Sequence, residues 1–118
     1  MALLAQLNDG VVATRFEIEK ESLTIGRHPS NLVYIDDDAV SGRHAVISCK
    51  PNPDFAQFNE YYLEDMQSTN GTFVNDDKVS GTVRLHHNDI VRIAWNKFKF
   101  IDEHEADLER TRHMVSSD

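Results

Sequence analysis

The chain has 118 residues, a single cysteine, 12 basic against 20 acidic side chains and a formal net charge of −8. That size predicts one domain able to bury about two-thirds of its unfolded surface, and a lone cysteine excludes an intrachain disulfide. The acidic balance argues against nucleic acid as the main ligand, and no stretch approaches the ~20 apolar residues that span a bilayer.

Strand-like segments follow one another at short intervals. Residues 2–7 are apolar. Residues 13–19 alternate, with Phe16 and Ile18 on one face and Arg15, Glu17 and Glu19 on the other. Residues 22–26 carry Leu23 and Ile25, and residues 31–35 carry Leu32, Val33, Tyr34 and Ile35. Residues 44–49 come next, with Cys49 as a small buried or half-buried side chain. Residues 60–65 hold Tyr61, Tyr62 and Leu63, and residues 71–75 hold Phe73 and Val74. A short piece at 78–79, then 82–85 and 89–93, precede 95–101, which sets Phe98 and Phe100 on one face. Turn sequences separate nearly all of them, among them Asn8-Asp9-Gly10, Pro51-Asn52-Pro53, Asn70-Gly71 and Asn75-Asp76-Asp77. About ten to eleven short strands with close turns predict an all-β sandwich.

The last residues read differently. Residues 102–110 are charged and contain good helix formers, and Asp102 followed by Glu105 is similar to a capping box. Acidic residues lead, and Arg110, Arg112 and His113 trail, the order that a helix dipole favours. A short C-terminal helix is expected, so residues 1–101 form the domain and 102–118 a tail. Thr111, between Arg110 and Arg112, is a site whose phosphorylation would let the tail dock on a second copy. The N-terminus lacks the basic start and length of a signal peptide. With one unpaired cysteine, this predicts a reducing, cytoplasmic setting.

Three clusters concentrate loop chemistry: Gly26-Arg27-His28, Ser41-Gly42-Arg43-His44 and Ser68-Thr69-Asn70-Gly71-Thr72. Arginines, hydroxyls and an amide on loops suit a dianionic phosphate better than bond breaking. Because the whole-molecule charge repels phosphate, attraction must be local, around Arg27 and Arg43. Screening over about 8 Å at cellular salt lets a local cluster prevail. Ser41 and His44 lie three apart, but the sequence offers no third orienting group or oxyanion site, so no enzyme is expected. His86-His87, His28 and the run Asp36-Asp37-Asp38 lack metal-ligand spacing, and neither metal nor cofactor is expected.

In order, Leu23-Thr24-Ile25-Gly26-Arg27, Val40-Ser41-Gly42-Arg43-His44-Ala45 and the run from Asp65 to Asn75 through Ser68-Thr69-Asn70-Gly71-Thr72 resemble the forkhead-associated (FHA) domain family. The resemblance extends over about residues 2–101. It implies an FHA/SMAD-like sandwich of two sheets whose loops at one end bind phosphothreonine peptides. It further implies that Arg27 pairs with phosphate, Ser41 donates its hydroxyl to it, and Arg43 supports it. Thr69 would meet the phosphate or the threonine methyl, and Asn70 the peptide backbone. Gly26, His44 and Gly71 would support the site, His44 by bonding neighbouring loop groups. Gly42 stands where some relatives carry a peptide-touching side chain. A buried methyl is worth on the order of 1 kcal/mol, about fivefold in favour of threonine over serine.

The implied function is recruitment of a partner phosphorylated by a Ser/Thr kinase. The alternative is a scaffold of the same fold that binds a protein surface without phosphate. The Asp36-Asp37-Asp38 run would favour basic residues beside the phosphothreonine. The chain departs from the family where glycine is usual, at Asp76 and near Asn88 and Ala94. Asp and Asn tolerate left-handed backbone, so these turns are expected to survive.

Overall fold

The computed structural model describes residues 2–19, 21–55 and 57–107. Eleven strands form: β1 (Ala2–Asn8), β2 (Val11–Glu17), β3 (Ser22–Gly26), β4 (Val33–Tyr34), β5 (Ala45–Pro51), β6 (Asn59–Asp65), β7 (Thr72–Val74), β8 (Asp77–Lys78), β9 (Thr82–Leu85), β10 (Ile90–Ile93) and β11 (Asn96–Asp102). They make a six-stranded sheet in the order β2-β1-β11-β10-β7-β8 and a five-stranded sheet in the order β4-β3-β5-β6-β9. All pairings are antiparallel except β3 with β4.

Alternation explains how the two sheets close. Period-two side chains put one face of each strand between the sheets. Phe98 and Phe100 on β11, Leu4 on β1, Ile25 on β3, Ile47 on β5 and Leu63 on β6 are all fully buried there. Tyr61 packs its ring 5.4 Å from Phe100, which joins the sheets through the core.

Where expectation and structure differ, side-chain bonding explains the difference. The segment expected at 31–35 shortens to Val33–Tyr34, because Asn31 turns its amide inward to bond His28 and Gly42 carbonyls. The segment expected at 13–19 pairs instead over Val11–Glu17, with a register shift in β1 between Gln6 and Leu7. Ile18 is still buried, and its N–H reaches the Ala2 carbonyl at 3.0 Å. The last strand continues to Asp102.

Residues 103–107 are helical, and Asp102 caps them, its Oδ1 accepting from His104 N at 3.1 Å and Glu105 N at 3.4 Å. The return half of a capping box is missing. Glu105 reaches the His86-His87 turn instead, accepting from His87 N at 3.0 Å. Residues 108–118, with Thr111 and the trailing basic residues of the tail, lie outside the described residues.

Candidate functional site

The three clusters meet at one end of the sandwich because each borders a strand terminus there. Gly26 ends β3, His44 precedes β5, and Gly71 precedes β7. Backbone bonds join the first two: Arg27 N to Ser41 O at 2.9 Å and His28 N to Gly42 O at 3.2 Å. Gly26 permits this approach, since a Cβ there would run into the Gly42 carbonyl oxygen and the Asn31 amide. The Asn31 Nδ2 donates to His28 O at 2.8 Å and to Gly42 O at 2.7 Å, tying both loops.

His44 is the pin between the second and third clusters. It is fully buried, its Nδ1 accepts from Ser41 N at 3.0 Å, and its Nε2 lies 2.8 Å from Gly71 O. That pattern requires the tautomer protonated on Nε2, which donates to the carbonyl. Gly71 adopts φ +86°, open to glycine at little cost, and a Cβ would press on the Phe73 ring.

Asp65 organises the third cluster from beneath. Its Oδ1 accepts from Ser68 Oγ at 2.6 Å and Thr72 Oγ1 at 2.7 Å, and its Oδ2 from Ser68 N at 3.2 Å. Burial pushes this carboxyl's pKa up, but the Ser68 and Thr72 hydrogen bonds outweigh it and hold the value below the usual one. Ser68 Oγ in turn accepts from Gly71 N at 3.0 Å.

These pins bring Arg27, Ser41, Thr69 and Asn70 onto loops bonded to one another, while Arg43 borders a neighbouring cleft. Arg27 is exposed, and its Nε donates to Val40 O at 3.1 Å, which fixes the guanidinium beside the Ser41 loop. Ser41 Oγ accepts from Thr69 N at 3.1 Å, which leaves its hydroxyl proton to donate. Asn70 Nδ2 donates to Ala39 O at 2.7 Å and so clasps the third loop to the second. Arg43 is exposed beside a shallow cleft whose lining includes Thr24, His28, Ser30, Asn31 and Gly42. A Cβ at Gly42 would meet nothing within 4 Å, so the side chain absent here leaves open space.

The Asp36-Asp37-Asp38 run divides. Asp37 is held internally, by Ala39 N at 2.9 Å and Asn96 Nδ2 at 3.0 Å. Those bonds, the Ala39 N–H first, hold its carboxyl below the ordinary range. Asp36 and Asp38 are exposed. His86 pairs with Glu105 at 2.9 Å, and among the described residues no group of three or more His, Cys, Asp or Glu side chains is placed to hold a metal ion.

Sequence reasoning missed Asn31, Asp65 and Asn96 as fasteners of this end. Spacing offered a signal for two of them. Asn31 stands three residues after His28, and Asp65 stands three before Ser68, the reach of a side chain to local backbone.

The chain matches the FHA domain family over residues 23–94. It is 33% identical over 100 residues to the "Oxoglutarate dehydrogenase inhibitor" of Corynebacterium jeikeium, covering 85% of this chain and 62% of that protein. The same identity and length hold for the "Glycogen accumulation regulator GarA" of Mycobacterium tuberculosis, with 85% of this chain and 56% of that protein covered. This chain therefore spans less than two-thirds of these curated relatives. Among solved structures, Mycobacterium tuberculosis EmbR in complex with a low affinity phosphopeptide is similar at TM-score 0.71 and 27% identity, over 85% of this chain and 24% of that one.

Proposed function

The chain belongs to the FHA domain family, and on that footing we propose that it is a phosphothreonine-reading module that recruits a partner marked by a Ser/Thr kinase. The observation that carries this is the convergence of Arg27, Ser41, Thr69 and Asn70 on loops bonded to one another. With Nε held by Val40, the terminal nitrogens of Arg27 are the fork offered to phosphate oxygens. The Ser41 hydroxyl donates to the same group, Arg43 adds positive potential, and Thr69 meets the phosphate or the methyl. The Asn70 amide, clasped to Ala39 by one N–H, keeps its oxygen and its second N–H for peptide backbone.

The reading is non-catalytic. Both ring nitrogens of His44 are engaged with backbone groups, so the ring does not serve Ser41 as a base. Residues 1–101 act as the binding domain and 102–118 as its tail, in the cytoplasm, where the free thiol of Cys49 would stay reduced. The partner is a phosphoprotein, with no cofactor, metal, nucleic acid or membrane involved.

Titration of the full chain with a degenerate phosphothreonine peptide library, with phosphoserine and unphosphorylated counterparts, tests this. Phosphothreonine peptides bind selectively, and Arg27→Ala weakens them by about 2–3 kcal/mol, roughly 30- to 150-fold. Binding that ignores the phosphate, or survives Arg27→Ala, would leave the phosphate-independent scaffold in its place.

A further inference from the structure

The outer face of the six-stranded sheet carries a charge pattern that neither the fold nor the phosphate site explains. Phe98 and Phe100 point into the core, so Lys97 and Lys99 on the same strand point outward. Register continues the row across the sheet: Lys97 opposite Arg92, Arg92 opposite Phe73, and Phe73 opposite Lys78. Two cations directly opposite each other destabilise a sheet. In a chain of net charge −8, composition does not force them together. The ion pairs found among the described residues, Arg84–Glu60 and His86–Glu105, lie elsewhere and relieve none of these cations.

The row begins at the phosphate site. The Phe73 ring lies against Gly71, next to Asn70. The Arg92 guanidinium sits 3.8 Å from the centre of the Phe73 ring and 5.3 Å from that of Trp95. Its Nη1 donates to Ala94 O at 2.7 Å, which sets the turn that carries Trp95. Ala94 N in turn bonds Gly71 O at 3.1 Å, so this turn is fastened to the third binding loop. Trp95 is 71% exposed, the most exposed large apolar side chain described. A shallow cleft beside it is lined by Leu7, Asp9, Ile90 and Lys97, so one carboxylate of this chain shares the lining with the lysine.

We propose that this face is a second docking surface, for an acidic segment of the same phosphoprotein whose phosphothreonine fills the Arg27 site. The proposal rests on the phosphothreonine reading above. Strands lie about 4.8 Å apart and an extended peptide advances about 3.3 Å per residue. Three to five residues beside the phosphothreonine are therefore about enough to cross from Gly71 over Arg92 to Lys97. Carboxylates there would relieve the opposed cations, and Trp95 offers a flat apolar contact. Continuity with the phosphate loops favours polypeptide over nucleic acid as the occupant.

Trp95 is the chain's single tryptophan, so its fluorescence reports occupancy of the face. The experiment titrates the full chain with one phosphothreonine core flanked by four Glu, four Gln or four Lys, placed before or after the core. In one placement the Glu peptide binds about threefold to tenfold tighter than the Gln peptide at low salt, as a few exposed pairs would give. It also shifts Trp95 emission, and the advantage fades as salt is added. The double variant Lys97→Gln with Lys99→Gln, both at outward positions, removes the advantage and leaves the Gln peptide unchanged.

Equal binding of Glu and Gln peptides overturns the proposal, as does a Lys preference set by Asp36 and Asp38, or an advantage that survives the double variant. If phosphate itself makes no difference and Arg27→Ala changes nothing, the reading of the site has failed instead. An unphosphorylated Glu-rich peptide and a single-stranded oligonucleotide then decide the face alone. Peptide binding lost in the double variant supports an acidic-segment surface, and preference for the oligonucleotide overturns it.

Discussion

The two ends of the sandwich handle polar groups in opposite ways. At the loop end, the carboxylates of Asp37 and Asp65 accept only from backbone, hydroxyl and amide donors. The arginines there, Arg27 and Arg43, form no ion pair with a described carboxylate. At the far end, His86 faces Glu105 at 2.9 Å, and His87 Nδ1 accepts from Asp102 N at 3.0 Å. At the far end Glu105 is answered by the His86 side chain, whereas at the loop end the guanidinium groups of Arg27 and Arg43 are left for something outside the chain. The same contrast separates the outer sheet faces. On the five-stranded sheet, Glu60 gathers Arg84, Tyr62 and Asn52 around it. On the six-stranded sheet, Lys97 and Arg92 stand opposed.

The largest effect that would break this contrast is at His44. His44→Ala leaves Ser41 N without its acceptor and opens a cavity between two binding loops. A loss of about 2–4 kcal/mol is expected in denaturant unfolding. Phosphopeptide affinity of the folded fraction falls as well, because Ser41 and Gly71 lose their shared pin. A midpoint shift worth less than about 1 kcal/mol would show that the ring is not what holds this end.

A smaller effect sharpens the contrast through pH. Asp65 has a folded pKa held below its ordinary value of 3.8. A depressed carboxyl contributes stability that is present above pH 3.8 and lost as pH falls through the folded value. Asp65→Asn should cost about 1 kcal/mol at neutral pH and flatten the acid limb of stability below about pH 4. Glu105→Gln at the far end should cost no more than about 0.5 kcal/mol and leave peptide affinity unchanged. Equal losses from the two substitutions would erase the distinction between the ends.

Much of this was legible in the sequence because β alternation and turn residues are local signals. The segments at 22–26 and 82–85 coincide with β3 and β9, each followed within a few residues by a turn sequence, His28-Pro29-Ser30-Asn31 and Asn88-Asp89. The left-handed backbone anticipated at Asp76 and Asn88 is present, at φ 70° and 76°. Ala94 is left-handed too, at φ 54°, without the side-chain help that Asn or Asp has. The fasteners were less legible. Asn96 bonds Asp37 across 59 residues of sequence, a pairing that no local spacing announces. The opposed pair Arg92 and Lys97 required the register of β10 with β11, since only pairing decides which cations face each other.

The smallest effect concerns the far end alone. Asn75 and Asp76 join β7 to β8 with φ 50° and 70°, two left-handed residues in succession, as a type I′ hairpin turn requires. Asn75 is also tied in place, its Oδ1 accepting from Ile90 N at 2.9 Å and its Nδ2 donating to Asp89 at 3.0 Å. Asp76 is exposed and, among the described residues, no such bond holds it, so nothing described offsets the cost of its left-handed backbone. Glycine removes the steric cost of that conformation but adds freedom to the unfolded chain. Since Asn-Gly is the favoured pair for this turn, the first term wins, and Asp76→Gly should raise stability by about 0.5 kcal/mol. Thermal unfolding reads this as a rise of a few degrees at most. Phosphopeptide affinity should not change, because the turn lies at the end of the sandwich away from Arg27. A change in affinity would mean that the two ends are coupled through β7, the strand that runs from the binding loop to this turn.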